Sequence, residues 1–338
     1  MAHQPEPQAR DAALNALRHA VLRPACARLC TVQRALKRQF LAMGTLVTVT
    51  LPDAARARAA ADAALERVQR ELAQFGRDGW AWGDGALARF NRSLLDGAAA
   101  EVPPALRTLF DLAWNAHCRS GGRFEPRVGE LVRLWGFDEP AHVRSAPPAA
   151  PEIERALRDL RAAPPYAGNG RYGPAPGVAW DFGAIGKGYA VDRCFELLLQ
   201  AGFHDASIDA GGNLAVRGRN GRRAWRIGIR DPRSDARRPS LLASLEASDE
   251  AVITHGDDQR GFEHGGVRYG HILDPRRGWP ARGLRSLTVV HADAAWADAA
   301  GSALFVAGAD WPRVARELGL TQVLAFDEHA RLRATPQL

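Results

Sequence analysis

The sequence predicts an α+β protein. Stretches with the two-residue period of strands and stretches with the 3.6-residue period of helices follow one another without the regular alternation of a β/α protein. A content of 46% hydrophobic and 25% charged residues over 338 positions is that of a folded chain with a large core. No internal repeat or low-complexity tract divides it.

Residues 1–40 read as a basic arm, expected to be helical. Arg10, Arg18, Arg23, Arg28, Arg34, Lys37 and Arg38 oppose only Glu6 and Asp11 there, a net of +5 out of the chain's +7. The remaining +2 is spread over the body, so the charge marks an arm that touches an acidic partner or membrane surface, or is simply solvated. It has no interleaved aromatics to stack on bases, and no nucleic acid is expected. Its arginines interrupt any apolar stretch, so neither a signal peptide nor a lipobox is seen, and no later run is long enough to span a membrane. The chain as written is expected to be cytoplasmic, or periplasmic if its start is mis-assigned.

The body, 41–338, opens with LAMGTLVTVTLP, which alternates like a strand. The helical pattern ARARAAADAALERVQRELAQF follows, then the loop GRDGWAWGDG and a second helix in PPALRTLFDLAWNAHCRSGG. Residues 139–176 form a proline-rich connection around a short helix at 151–162. From about Val178 the pattern predicts a strand into DFGAIGKG, a helix over 189–201, and strands in ASIDAGGNLAVRG, AWRIGIRDP and SLEASDEAVITHG, followed by the turn-rich segment that opens with YGHILDP. The strand LRSLTVVHA, the helix AWADAAGSALFVAG, the helix WPRVARELG and the strand QVLAFD complete the order.

Several residues are chemically suggestive. Only Lys37 and Lys187 are lysines among 45 Lys plus Arg residues, and Lys187 lies among Gly183, Gly186 and Gly188 ahead of a helix. An ammonium is a compact charge where a guanidinium is a wide fork, and a glycine turn at a helix N-terminus suits an anion. A surface lysine in an ordinary turn is the competing reading. Asp298 and Ser302, four apart on a helix, point their oxygens from one face, a donor pair suited to Mg²⁺, with capping or a solvated polar face as the competing reading. His271 in YGHILDPRRGWPA, with Asp274, is a candidate base, hydrogen-bond donor to a phosphate, or packed imidazole. Asp209, Gly211 and Gly212 read as a turn between strands. Glu125 adjoins an apolar run ending in Trp135, which reads as core. Cys26, Cys30, Cys118 and Cys194 have no metal-ribbon or redox spacing and are read as free thiols.

Taken together, MGT (43–45), FEPRVGELVRLWGF (124–137), DFGAIGKGYAVDR (181–193), DAGGNLAVRG (209–218), YGHILDPRRGWPA (269–281) and ADAAGSALFVAG (297–308) resemble the FAD:protein FMN transferases of the ApbE type, over about residues 40–325. The resemblance implies a two-lobed body with FAD between the lobes. It also implies Mg²⁺-dependent passage of FMN to a threonine or serine of an acceptor flavoprotein, with AMP leaving. On the matched positions, Lys187 and Asp181 would lie against FAD, with Met43, Arg123, Phe124 and Glu125 framing it and Ile272 in contact. Mg²⁺ would sit among Asp298, Ser302 and the Ala184 carbonyl, and His271 is the nearest base. Hydrolysis of FAD to FMN and AMP, or FAD binding without catalysis, are the alternatives.

The chain departs from the family pattern at four places. Phe124-Glu125-Pro126-Arg127 stands for Phe-Asp-Pro-Thr, and it is expected to bring a longer carboxylate and a bulky cation into the flavin site. Thr254-His255-Gly256 stands for Thr-Ser-Gly, Ser302 for threonine, and the tryptophan loop for a serine-rich entry.

Overall fold

The computed structural model describes residues 35–52, 57–234, 240–257 and 260–338. The helix expected in the arm therefore falls, up to residue 34, outside the described residues. The arm does not reach 40, because the first strand, β1 (Leu36–Ala42), has already begun. It pairs with β2 (Thr45–Leu51) through a turn in which Met43 and Gly44 both have positive φ, 51° and 70°. Two left-handed residues in a two-residue loop match the right-handed twist of paired strands. The single strand expected over 41–52 thus holds the end of β1, the turn and all of β2.

Helices α1 (Arg58–Asp78) and α2 (Ala86–Leu95) follow, then β3 (Ala100–Glu101), α3 (Arg107–Arg119), α4 (Gly129–Leu134) and α5 (Ala150–Ala162). Helix α2 was not expected, because the glycine-tryptophan loop before it masks its start. After β4 (Arg171–Tyr172) comes α6 (Gly186–Gln200). No strand leads into DFGAIGKG: the segment makes only the isolated bridge between Val128 and Ala179. The chain continues with β5 (Ala206–Ala210), β6 (Asn213–Arg217), β7 (Trp225–Arg230), β8 (Leu241–Ala247) and β9 (Glu250–Gly256). SLEASDEAVITHG is therefore two strands, broken where Asp249 takes φ 57°. Next are β10 (Gly261–His264), β11 (Val267–Gly270), β12 (Leu273–Asp274), β13 (Trp279–Pro280) and β14 (Leu284–His291), and α7 (Ala294–Ala307), α8 (Trp311–Glu317), β15 (Gln322–Asp327) and β16 (Leu332–Ala334) close the chain.

Eight strands form one antiparallel sheet in the order β1-β2-β5-β6-β9-β14-β15-β16. One row across it runs Val47, Ala210, Asn213, Ile253, Val289 and Val323, all buried. Because side chains alternate along each strand, this row and its neighbours two residues away face the helices. Helix α7 lies on β9 and β14 and is flanked by α6 and α3, while α1 packs on α6 and β1. Every residue of α7 from Ala294 to Val306 is buried. A helix enclosed on all sides is apolar all round, and the alanines of α7 with Trp296, Leu304 and Phe305 meet that need. Asp298 and Ser302 are the polar exceptions on it. The opposite face of the sheet is covered by the β7–β8 hairpin, where Trp225 and Ile227 meet Val216, Val252 and Val290.

A second lobe has its own core, in which Leu131, Trp135 and Phe137 meet Ile153 and Leu157 of α5 and Phe262, Tyr269 and Leu273 of the short strands. Trp135 is fully buried and donates its indole N–H to the Gly278 carbonyl at 2.8 Å. It is core, as its apolar setting implies.

Candidate active site

The DFGAIGKG segment runs along the junction of the lobes. The Asp181 amide donates to the Pro126 carbonyl at 2.7 Å, tying this segment to the FEPR segment. The Asp181 carboxylate accepts from the Gly183 amide at 2.9 Å, folding the chain back ahead of α6. Helix α6 starts at Gly186, so Lys187 stands in its first turn and not in the preceding loop. No side chain of the N-cap residue, Ile185, satisfies the amides there, and no acid occupies the first turn. The positive end of a four-turn helix and the ammonium therefore act from the same place.

Gly188 lets α6 approach α7. A Cβ at this position would lie 2.2 Å from the Ala294 carbonyl oxygen, and the Gly188 amide donates to Asp298 Oδ2 at 3.0 Å. The carboxylate of α7 is thereby drawn to the start of α6, beside the loop that carries Ala184. Ser302, one turn on, has its hydroxyl 3.4 Å from His255 Nδ1. The His255 ring, at the end of β9, rests against Gly301, where a Cβ would meet Nε2 at 2.3 Å.

His271, between β11 and β12, completes the cluster. Burial, with the charges of Lys187 and Arg260, pushes its pKa down to about 4, and its Nδ1 is buried without a partner. Burial likewise lowers His255, against the pull of Asp298. Burial raises the Asp181 carboxyl, with the Gly183 amide, Lys187 and Arg260 acting in the other direction. Burial favours the neutral form of both imidazoles, and the charge of Lys187 acts on each in the same direction. Arg260, exposed at the start of β10, carries no sequence signal that separates it from the other arginines, and only the fold brings it here.

Met43 packs its backbone and Cγ against Gly76, and the adjoining Phe75 ring lies against Gly186. Ile272 packs on the main core, as does buried Phe124, while Arg123 donates to the Ser120 carbonyl. Glu125 and Arg127 differ from expectation. Glu125 accepts from Arg127 Nε at 2.7 Å and Nη2 at 2.8 Å, and His117 Nδ1 lies 3.2 Å from its second oxygen. Arg127 also reaches the Pro164 carbonyl and the Tyr172 hydroxyl and lies over the Trp114 ring. Burial works against its charge, but Glu125 more than offsets this and holds the guanidinium charged. The departing pair thus satisfies itself, and neither charge is left over to enter a ligand site. Asp274 is similarly committed to Arg276 in its own turn.

Among the described residues no group of three His, Cys, Asp or Glu side chains is placed to hold a metal. Asp298, Ser302 and the Ala184 carbonyl offer one charge and hard oxygens, which fits Mg²⁺ that keeps waters and shares a substrate's phosphates. The buried position of Asp298, only 2% exposed, also fits a carboxylate awaiting a counter-charge.

Fold and site together define a two-lobed α+β protein with an anion-receptive helix N-terminus, a lysine and two neutral imidazoles where the lobes meet. The chain belongs to the ApbE family, whose model matches residues 43–324. It is 35% identical over 306 residues to an FAD:protein FMN transferase of Rhodobacter capsulatus, covering 88% of this chain and 57% of that protein. It is 34% identical over 301 residues to one of Treponema pallidum, covering 81% and 79%. Among solved structures, the ApbE protein of Thermotoga maritima superposes with a TM-score of 0.78 at 30% identity, over 89% of this chain and 97% of that one. The apo flavinyl transferase ApbE of Pseudomonas stutzeri gives 0.75 at 26% identity, over 89% and 95%.

Proposed function

We propose that the protein transfers FMN from FAD to a threonine or serine hydroxyl of an acceptor flavoprotein and releases AMP. The observation that carries this reading is the convergence of Lys187, the start of α6 and Asp298 at one point, in a chain of this family. A diphosphate set there meets the ammonium and the positive end of the helix, with Arg260 alongside. Mg²⁺ held by Asp298, Ser302 and the Ala184 carbonyl would supply further neutralisation of phosphate charge.

In the reaction the acceptor oxygen forms a bond to the phosphorus of the FMN half, the bond to the AMP oxygen breaks, and the hydroxyl proton departs. Such chemistry rests on positioning and charge, so no protein nucleophile is required. His271, neutral and with a free ring nitrogen, is the group that takes the proton. Phosphates beside Lys187 and Arg260 would offset the charges that depress its basicity, so the base strengthens when the substrate is in place. Met43, Phe124 and Ile272 provide apolar surface around the flavin half, and Asp181 helps orient Lys187.

The test is incubation with FAD, Mg²⁺ and a candidate acceptor, followed by intact-mass measurement and AMP detection. Transfer predicts an acceptor heavier by one FMN unit for each AMP released. AMP without a mass gain would assign hydrolysis, and neither product would leave a flavin-binding protein.

A further inference from the structure

We propose that His255 is a third side-chain donor to the divalent cation, beside Asp298 and Ser302, giving this chain a nitrogen ligand and a stronger preference for first-row transition metals over Mg²⁺. The inference rests on the reading of Asp298 and Ser302 as the metal-holding pair. His255 is two residues beyond Ile253 on β9, so strand alternation turns its ring to the helix-covered face, toward α7. Gly301 leaves the space that the ring fills, and Nδ1 reaches 3.4 Å from the Ser302 hydroxyl.

That separation is at the long limit of a hydrogen bond. It is also close to the spacing of two donors that each stand about 2.1 Å from a shared cation and roughly at right angles, about 3 Å. The Asp298 carboxylate and the Ala297 backbone act on the same ring, and buried Nε2 makes no hydrogen bond of good geometry. The imidazole is thus enclosed beside the carboxylate and the hydroxyl and is poorly satisfied by protein alone. Serine, which stands at this position in the family pattern, would add another oxygen. Imidazole nitrogen instead favours transition metals over Mg²⁺, which selects oxygen.

Mn²⁺ is the probe, followed by pulsed electron paramagnetic resonance for nitrogen coupling and by competition with Mg²⁺. In the native chain bound Mn²⁺ should show ¹⁴N coupling. His255→Ser should still bind Mn²⁺ but lose the coupling and release the ion to about tenfold less Mg²⁺. His255→Asn, closer in shape, should behave likewise, with thermal melting confirming the fold of both. Bound Mn²⁺ lacking nitrogen coupling in the native chain, with unchanged Mg²⁺ competition in both variants, would overturn the inference while leaving the oxygen site intact. Retention of that Mn²⁺ in Asp298→Ala would overturn the metal reading itself, and the role of His255 with it.

Discussion

Lys187 and His271 carry most of the chemistry assigned to single residues. A charged hydrogen bond contributes about 1.5–3 kcal/mol, so Lys187→Ala should weaken FAD binding by about 10- to 150-fold. Lys187→Arg should recover little of it, because a planar fork does not fit beside Gly186 and Gly188 in the first turn of α6. Unaltered FAD affinity of both variants in a fluorescence titration would refute this role. His271 leads to a pH dependence of stability. Its folded pKa of about 4 lies below the usual 6.5, so between those values the unfolded chain binds the extra proton. The contribution is complete above pH 6.5 and disappears as pH falls toward 4. Asp192, raised to about 6 by burial, has the opposite sign, losing its contribution as pH rises through the same region. Comparison with His271→Asn isolates the imidazole: the native chain should lose more melting temperature than the variant on going from pH 7 to 4.5. Parallel melting curves across that range would refute it.

The α6–α7 contact is the element on which the site depends. Gly188→Ala places a methyl group into the Ala294 carbonyl and disturbs the amide that holds Asp298, and overpacking of this kind costs about 1–3 kcal/mol or more. We expect a lower melting temperature together with weakened Mg²⁺ binding. A variant that melts and binds the ion like the native chain would show that the contact is not needed. The sequence made much of this legible. Helix α7 and the spacing of Asp298 and Ser302 were readable because a period of 3.6 is local, and Lys187 stood out by composition. The Met43 turn, the start of α6 at Gly186 and the placement of Arg260 were not, because they depend on positive φ, on helix-to-helix approach and on a hairpin from the other lobe. Glu125 and Arg127 show the same limit. Two residues apart in a departing motif, they looked like intrusions into a ligand site, and only the fold reveals that they neutralise each other.

At the scale of the molecule, the buried Glu125–Arg127 pair helps define the junction where the site lies, since Pro126 between them accepts from Asp181. Removing one partner of a buried ion pair costs about 3–5 kcal/mol, whereas replacing both by apolar residues is often nearly neutral. Denaturant unfolding should therefore find Arg127→Met far less stable than the combined Glu125→Leu and Arg127→Met change. Equal losses would mean that the pair acts only through packing. The wider account holds that two lobes, neither of which carries the full set, meet to bind FAD: α6 and α7 bring Lys187 and Asp298, while β10 and the segment after β11 bring Arg260 and His271. The most direct measurement is a crystal structure of the chain with FAD. The account predicts the diphosphate within hydrogen-bonding distance of the Lys187 ammonium and facing the start of α6, with the AMP half leading away from the side an acceptor approaches. FAD ordered elsewhere on the chain, with Lys187 and the start of α6 untouched by phosphate, would contradict it.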